Sequence, residues 1–356
     1  MKFIHTGDLH YGMKPDIGKP WSAERAQAVK DALASIVRAA RDEKVDLLLI
    51  AGDLFHHQPL VRDLKEISYL FASIPNVAIA VIAGNHDRIR DNSAVLSFPW
   101  PKNVYYFTES SLSSVYLRRI NTEVYGFSYH TRDNLLEGVE APENGRIRIL
   151  LCHGGDAKHL PLDVKELSEA GFSYCALGHI HKPEIAVPGK VAWCGSPEPL
   201  DLTETGPHGY FLGEINDISR QITSLDFVRL AKVQYTSLIV HVTPDSTNAE
   251  LLMTLSDELA RRGSQNIYRL QIKGLRDPDV VFDLDTLRQR FRIAELFDYS
   301  EPKYDFSRLF AEHSSDMIGF FIQELDKPDL SLLDKKALYY GVSALLHTTE
   351  ERGQKT

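Results

Sequence analysis

The chain has 356 residues, 43% apolar and 25% charged, with a formal net charge of −9, which suits a globular protein with a sizeable core, one large domain and a smaller attachment. No stretch approaches the roughly 20 uninterrupted apolar residues of a membrane helix, and the start, Met1-Lys2-Phe3-Ile4-His5, has no apolar run of signal-peptide length, so the chain reads as soluble and cytoplasmic, with no membrane partner. The acidic balance counts mildly against a protein that grips nucleic acid unaided, although a local patch, and bound dications above all, can reverse it.

In chain order, Phe3 to Thr6 reads as a strand and Ala23 to Lys44 as a helix, with Ala26, Val29, Leu33, Ile36, Val37 and Ala40 on one face. Asp46 to Ala51 is a strand buried on both faces. Arg62 to Ile74 is a second helix and Val77 to Ala83 a further buried strand. Alternation of this kind implies a layered α/β fold. Short strands follow between Asn103 and Phe127. Arg146 to Cys152 and Tyr174 to Leu177 are buried strands around a helix near Val164 to Ala170. Glu184 to Trp193 and His208 to Ile215 read as strands. The pattern predicts a β-sandwich flanked by helices.

A boundary is expected near Arg229 to Gln234. Beyond it, a strand at Ser237 to Val242, a helix at Ala249 to Arg262 and a strand at Ile267 to Ile272 make a small α+β unit. Two amphipathic patterns occupy Tyr304 to Thr348. One holds Phe306, Leu309, Phe310, Met317, Phe320 and Phe321; the other holds Leu338, Tyr339, Val342, Leu345 and Leu346. The polar stretch after Thr349 reads as a frayed end. The cysteines, Cys152, Cys175 and Cys194, are three, far apart and in apolar segments. They exclude a disulfide framework and a thiolate zinc site, and read as small buried hydrophobes.

Five short motifs each follow an apolar strand: Asp8-Leu9-His10, Gly52-Asp53, Gly84-Asn85-His86-Asp87, His153-Gly154 and Gly178-His179-Ile180-His181. The carboxyl ends of strands in an open α/β sheet face the ligand crevice, so distant motifs can converge there. Asp, His and Asn donors without thiolates suit manganese, iron or zinc. In extended backbone, residues two apart point to the same side, which would let Asp8 face His10's way and His179 face His181's. The glycines at 52, 84 and 178 permit tight turns and close approach.

Asp8, His10, Asp53, Asn85, His153, His179 and His181 are too many ligands for one ion and about right for two sharing a bridge. Asp53 is the natural bridge, because a carboxylate binds with both oxygens. Two ions about 3.5–4 Å apart can clamp a phosphate and activate water. His86 is assigned proton donation to the leaving alkoxide, with Asp87 as the carboxylate that orients it.

At these residues the sequence resembles the calcineurin-like metallophosphoesterase superfamily, and within it the SbcD-type DNA repair nucleases, including the YhaO-like bacterial branch. Asp53 is followed by Leu54-Phe55-His56, where the protein phosphatases of the superfamily have G-D-x-x-D-R-G, and the third motif is Gly-Asn-His-Asp rather than Gly-Asn-His-Glu. Gly195-Ser196-Pro197-Glu198 and Gly209-Tyr210 are similar to the segment that closes the nuclease site.

The resemblance implies an α/β (α+β) four-layer β-sandwich flanked by helices over residues 1–230, a small α+β capping domain over 231–300, and a helical region over 301–356 that docks on a partner. It implies that Asp8, His10, Asp53 and His181 hold one ion, that Asp53, Asn85, His153 and His179 hold the other, and that His86 is the proton donor. His56 would help orient DNA or a phosphate. The ions would be manganese, with iron, zinc or magnesium as alternatives. The implied activity is 3′–5′ exonuclease and single-strand or hairpin endonuclease action in DNA repair. The implied partners are DNA, a second copy of the chain, and an SMC-like coiled-coil ATPase of the SbcC/YhaN type. Arg62, Arg88, Arg90, Arg132, Lys158 and Lys182 are the candidate DNA contacts. Competing functions are a small-molecule phosphodiesterase or phosphatase, which the acidic charge favours, and a binding subunit that regulates an ATPase without cutting, which the full ligand set argues against.

Overall fold

The computed structural model describes residues 1–130 and 139–353, so Arg132 lies outside the described residues. The chain forms two compact units, Met1–Thr236 with Gln265–Ile267, and Ser237–Ser264 with Tyr268 onward. The first unit runs β1 (Lys2–Thr6), α1 (Ser22–Asp42), β2 (Leu47–Ala51), α2 (Val61–Ala72), β3 (Ala78–Ile82) and β4 (Val104–Phe107). It continues with β5 (Ser113–Leu117), β6 (Thr122–Gly126), β7 (Ile147–His153), α3 (Val164–Glu169) and β8 (Tyr174–Gly178), then β9 (Glu184–Val187), β10 (Val191–Trp193), β11 (Gly209–Ile215) and β12 (Ile222–Arg229).

Two six-stranded sheets result, ordered β12-β11-β1-β2-β3-β4 and β5-β6-β7-β8-β10-β9. Strands β1 to β4 are parallel to one another, as are β6, β7, β8 and β10; β11 is antiparallel to β1 and to β12, and β5 and β9 are antiparallel edge strands of the second sheet. Successive side chains alternate faces, and the apolar runs use both. Ile4, Leu48, Ile50, Ile79 and Val81 pack on Leu33, Ile36 and Val37 of α1 and Leu64, Ile67 and Phe71 of α2. Their neighbours Phe3, Leu47, Leu49, Ala80 and Ile82 face the second sheet, meeting Val124, Ile149, Leu151, Tyr174 and Ala176. The outer face of that sheet, with Tyr125, Leu150, Leu177 and Trp193, is covered by Leu167 of α3 and by Leu160 and Phe172. Helices, sheet, sheet and helix are therefore four layers, the expected flanked sandwich. Cys152, Cys175 and Cys194 are free and buried within it.

The single strand expected from Glu184 to Trp193 is two, because Pro188-Gly189 turns the chain between β9 and β10, with Gly189 at φ +68°. The second unit holds β13 (Tyr235–Val242), α4 (Asn248–Arg262), β14 (Ile267–Arg276), α5 (Leu284–Arg290) and β15 (Ile293–Pro302), with sheet order β13-β14-β15. Leu251, Leu255 and Leu259 of α4 close over Leu238, Val240, Leu270 and Ile272. The C-terminal patterns resolve into three helices, α6 (Phe306–Glu312), α7 (Met317–Leu325) and α8 (Leu332–Gly353). Asp316 caps α7 through the backbone N–H groups of Ile318 and Gly319, which breaks the first pattern in two. Ile318, Ile322, Leu338 and Val342 are buried together, while Met317 and Phe320 are 68% and 57% exposed. The polar stretch after Thr349 continues α8 to Gly353.

One buried ion pair ties α1 to the segment after β10. The Arg25 side chain is inaccessible to solvent; its Nη1 donates to Glu198 Oε2 at 2.7 Å and its Nη2 to the Pro199 carbonyl at 2.6 Å. Removing one partner of a buried pair strands the other. Arg25→Ala should therefore cost about 3–5 kcal/mol of stability in urea unfolding, with much of it recovered by Arg25→Met combined with Glu198→Leu. A loss below about 1 kcal/mol would mean that the pair behaves as a surface bridge.

Candidate metal centre

All five motifs lie at the carboxyl ends of parallel strands. Asp8 follows β1, Asp53 follows β2, Asn85 and His86 follow β3, His153 ends β7, and His179 and His181 follow β8. The two sheets deliver them to one edge of the sandwich. Asp8, His10, Asp53 and His153 are all 1% exposed or less.

The donor atoms converge in two groups. Asn85 Oδ1 lies 2.9 Å from His153 Nε2 and 3.2 Å from His179 Nδ1, and Asp53 Oδ2 lies 3.4 Å from the same His153 nitrogen. On the other side, His10 Nε2 is 3.1 Å from His181 Nε2 and 3.7 Å from Asp53 Oδ2, and Asp8 Oδ1 is 3.9 Å from His181 Nε2. Asp53 Oδ2 thus stands between the groups, while its Oδ1 accepts the backbone N–H of His86 at 2.9 Å.

The tautomers follow from the outer contacts. His153 Nδ1 faces the Ala51 carbonyl at 2.8 Å, so its proton sits there. His181 Nδ1 faces Glu204 Oε1 at 2.6 Å, and His179 Nε2 faces Asp156 Oδ2 at 2.9 Å. His10 Nδ1 faces His56 Nδ1 at 3.3 Å. The rings of His153, His179 and His181, whose outer partners can only accept, therefore turn a lone pair inward, and those lone pairs face other acceptors. Acceptors so placed repel unless protons or cations lie between them. Nitrogen and oxygen donors without thiolates suit divalent ions of the manganese, iron or zinc kind. The residues fit a pair of cations.

Two expectations need correction. Residues two apart were to converge through extended backbone. Asp8, His10, Asp53 and His179 instead have φ of +48°, +46°, +47° and +91°. This left-handed region is uncommon for non-glycine residues, though Asp and His tolerate it best, and such strain gathers at functional sites. At Gly84 a methyl group would overlap Asp53 Oδ1, so close approach is the reason for that glycine. Asp87 was to orient His86, but its oxygens accept the backbone N–H groups of Gly84 at 2.7 Å and Phe55 at 3.1 Å. It shapes the loop that carries Asn85 and His86. Burial, and then the nearby Asp53, push its carboxyl up to about 7.

The His86 ring is exposed at the mouth, its centroid 4.7 Å from that of His10 and 5.3 Å from that of His56. Asp156 and Glu204 escaped the sequence reading. Asp156 stands three residues after His153, and that spacing was a usable signal. Glu204 lies in a loop with no motif to mark it. Arg90, Lys158 and Lys182 are exposed, and Arg62 pairs with Asp63.

A family model described as calcineurin-like phosphoesterase matches residues 1–183. The chain is a calcineurin-like phosphoesterase. It is a hydrolase acting on phosphoester bonds, of a family that binds divalent metals. The phosphoesterase is 27% identical to the uncharacterized metallophosphoesterase YhaO of Bacillus subtilis, over 93% of this chain and 88% of that one. It is 30% identical to the DNA double-strand break repair protein Mre11 of Archaeoglobus fulgidus over 57% of this chain, a match that spans 52% of that relative's length. The Mre11 protein of Methanopyrus kandleri is 24% identical over 92% of this chain and 80% of its own. The crystal structure of TT1561 of Thermus thermophilus superposes with a TM-score of 0.38 at 12% identity, covering 65% of this chain and 99% of that one. The likeness within the family runs to the YhaO and Mre11 branch. No helix among the described residues is long and apolar enough to cross a membrane.

Without ions, protons occupy the space between the acceptors. Burial pulls the His153 imidazole down, but Asp53 and then Asp8 outweigh it and raise it to about 9. His181 is likewise raised to about 9, burial being outweighed by Glu204 and Asp8. These rings are protonated below that pH, so a cation must displace their protons. Manganese affinity of the ion-free phosphoesterase should rise by up to about tenfold per pH unit for each ring that loses a proton, and flatten above about pH 9. Calorimetry in buffers of differing ionisation heat measures both the affinity and the proton release. An affinity flat from about pH 6 upward, with no proton release, would contradict this balance.

Proposed function

We propose that this phosphoesterase hydrolyses phosphodiester bonds in DNA, using two divalent ions, manganese by preference. Asp8, His10, Asp53 and His181 would hold one ion and Asp53, Asn85, His153 and His179 the other. The observation that carries the metal reading is the position of Asp53 Oδ2, between His10 Nε2 at 3.7 Å and His153 Nε2 at 3.4 Å. When bound, such a pair polarises the phosphate and supplies hydroxide from water near neutral pH.

The protein's own groups do the rest. The Asp53 side chain fixes the His86 backbone by accepting its N–H. The His86 ring stands exposed beside those of His10 and His56, where it donates a proton to the departing alkoxide. The His56 ring lies nearly parallel to it, 23° between planes, and stands where it can orient the phosphate. Its Nδ1 also faces Nδ1 of His10.

DNA as substrate is supported by the likeness to proteins named for DNA double-strand break repair, and by His56 following the Asp53 motif. Arg90, Lys158 and Lys182, exposed beside the motifs, are candidate phosphate contacts. We read the action as 3′–5′ exonucleolytic and as endonucleolytic on hairpins or single strands. The α+β part of the second unit is read as a cap. The C-terminal helices are read as a docking surface for an SMC-like coiled-coil ATPase, since Met317, Phe320 and Tyr340 expose apolar area there. A homodimer and a cytoplasmic location belong to the same reading. The net charge of −9 favours a second reading, a phosphodiesterase of small molecules.

With manganese, the protein should digest end-labelled linear duplex, hairpin or single-stranded DNA. His86→Ala should lower turnover by about 10²–10⁴-fold while both ions still bind. Hydrolysis of a chromogenic diester with no action on any DNA would select the small-molecule reading. Unchanged turnover in His86→Ala would remove that residue from the chemistry.

A further inference from the structure

Two carboxylates outside the ligand set share one construction. Asp156 Oδ1 accepts the backbone N–H groups of Lys158 and His159, both at 2.7 Å, and so builds the turn after β7. Its Oδ2 faces Nε2 of His179 at 2.9 Å. Glu204 Oε2 accepts the backbone N–H of Leu200 at 2.8 Å and the Ser196 hydroxyl at 3.3 Å, closing the loop after β10. Its Oε1 faces Nδ1 of His181 at 2.6 Å. Both Asp156 oxygens also lie 3.2 Å from His159 Nδ1. In each case one oxygen holds backbone N–H groups of the loop and the other faces the ligand histidine.

We propose that Asp156 and Glu204 are positioning residues that each govern one ion of the pair. Asp156 governs the ion of Asp53, Asn85, His153 and His179, and Glu204 governs that of Asp8, His10, Asp53 and His181. The inference rests on the two-ion reading. A neutral imidazole, the form that binds a cation, has one proton to place, and the outer acceptor decides where it goes. With Nε2–H of His179 held by Asp156, the lone pair is on Nδ1, which faces Asn85 Oδ1 at 3.2 Å. With Nδ1–H of His181 held by Glu204, the lone pair is on Nε2, which faces His10 Nε2 at 3.1 Å.

The shared construction sets an inversion test. In Asp156→Asn the amide oxygen must face the two backbone N–H groups, because the amide nitrogen cannot accept them. The amide N–H₂ is then aimed at His179 Nε2 and forces the ring proton onto Nδ1, where the ion would bind. Glu204→Gln does the same to His181 through the Leu200 N–H. An alanine at either position leaves water to accept the histidine proton and imposes no tautomer. The isosteric amide variant should therefore be the worse of the two, although it keeps the loop bond that alanine removes. A residue with a purely structural role gives the opposite order.

The test is calorimetric titration of manganese into chelator-treated protein, with thermal melting in chelator as the fold control. Wild type should take up two ions. Asp156→Asn and Glu204→Gln should each weaken one binding step by about 10–100-fold and leave the other, with Asp156→Ala and Glu204→Ala affected less. The doubly substituted protein should show both steps weakened. Two unaltered steps in the amide variants, an equal loss at both steps in each, or alanine worse than amide would overturn the proposal. So would a third wild-type ion that vanishes in Asp156→Asn, since Asp156 would then be a ligand. A wild type that binds no pair would instead defeat the two-ion reading beneath it.

Discussion

Lone pairs brought together in a buried space repel, and one edge of this sandwich concentrates them. Asn85 Oδ1 faces two imidazole nitrogens, two imidazole nitrogens face each other, and Asp53 Oδ2 stands between the groups. A folded chain holds such an arrangement by placing protons or cations among the acceptors. Protons can fill it: Asp53 and Asp8 draw His153, and Glu204 and Asp8 draw His181, up to about 9 against the pull of burial. Divalent cations fill it better, because each satisfies several donors at once.

The fold meets the cost of this arrangement with rigidity. The strands that deliver the donors are buried on both faces: β1, β2 and β3 between helices and the second sheet, and β7 and β8 between the first sheet and the layer of α3. Four of the residues that reach the site do so through left-handed backbone. That conformation is unfavourable for side-chain-bearing residues and persists only where the surroundings over-determine it. Asp87 contributes through two backbone amides, and Arg25 holds the segment after β10 to α1. Placement of the donor groups in this phosphoesterase is thus a property of strand ends and loops fixed by buried polar bonds.

The large features were legible in the sequence. Continuous apolar runs such as Leu47–Ala51 announced strands covered on both faces, and a chemically consistent motif after each announced the edge where they meet. The donor atoms of Asp8, His10, Asp53, Asn85, His153, His179 and His181 do converge there. What was not legible depended on backbone torsion and on loops. Apolar patterning carries no trace of a positive φ, so the reason given for Asp8 and His10 facing together was mistaken. A carboxylate beside a histidine suggests a pair, yet Asp87 turns to backbone amides that no motif records. Glu204 comes from a loop of Asp, Thr and Gly residues with no periodicity. β15 (Ile293–Pro302) escaped because only Ile293 and Leu296 are buried in it, which leaves no apolar alternation to mark a strand.

The most direct test of the account is a manganese-soaked crystal examined by anomalous scattering. Two peaks about 3.5–4 Å apart are predicted, with Asp53 Oδ2 between them, one peak among Asp8, His10 and His181 and the other among Asn85, His153 and His179. A single peak, or two peaks without Asp53 between them, would contradict it.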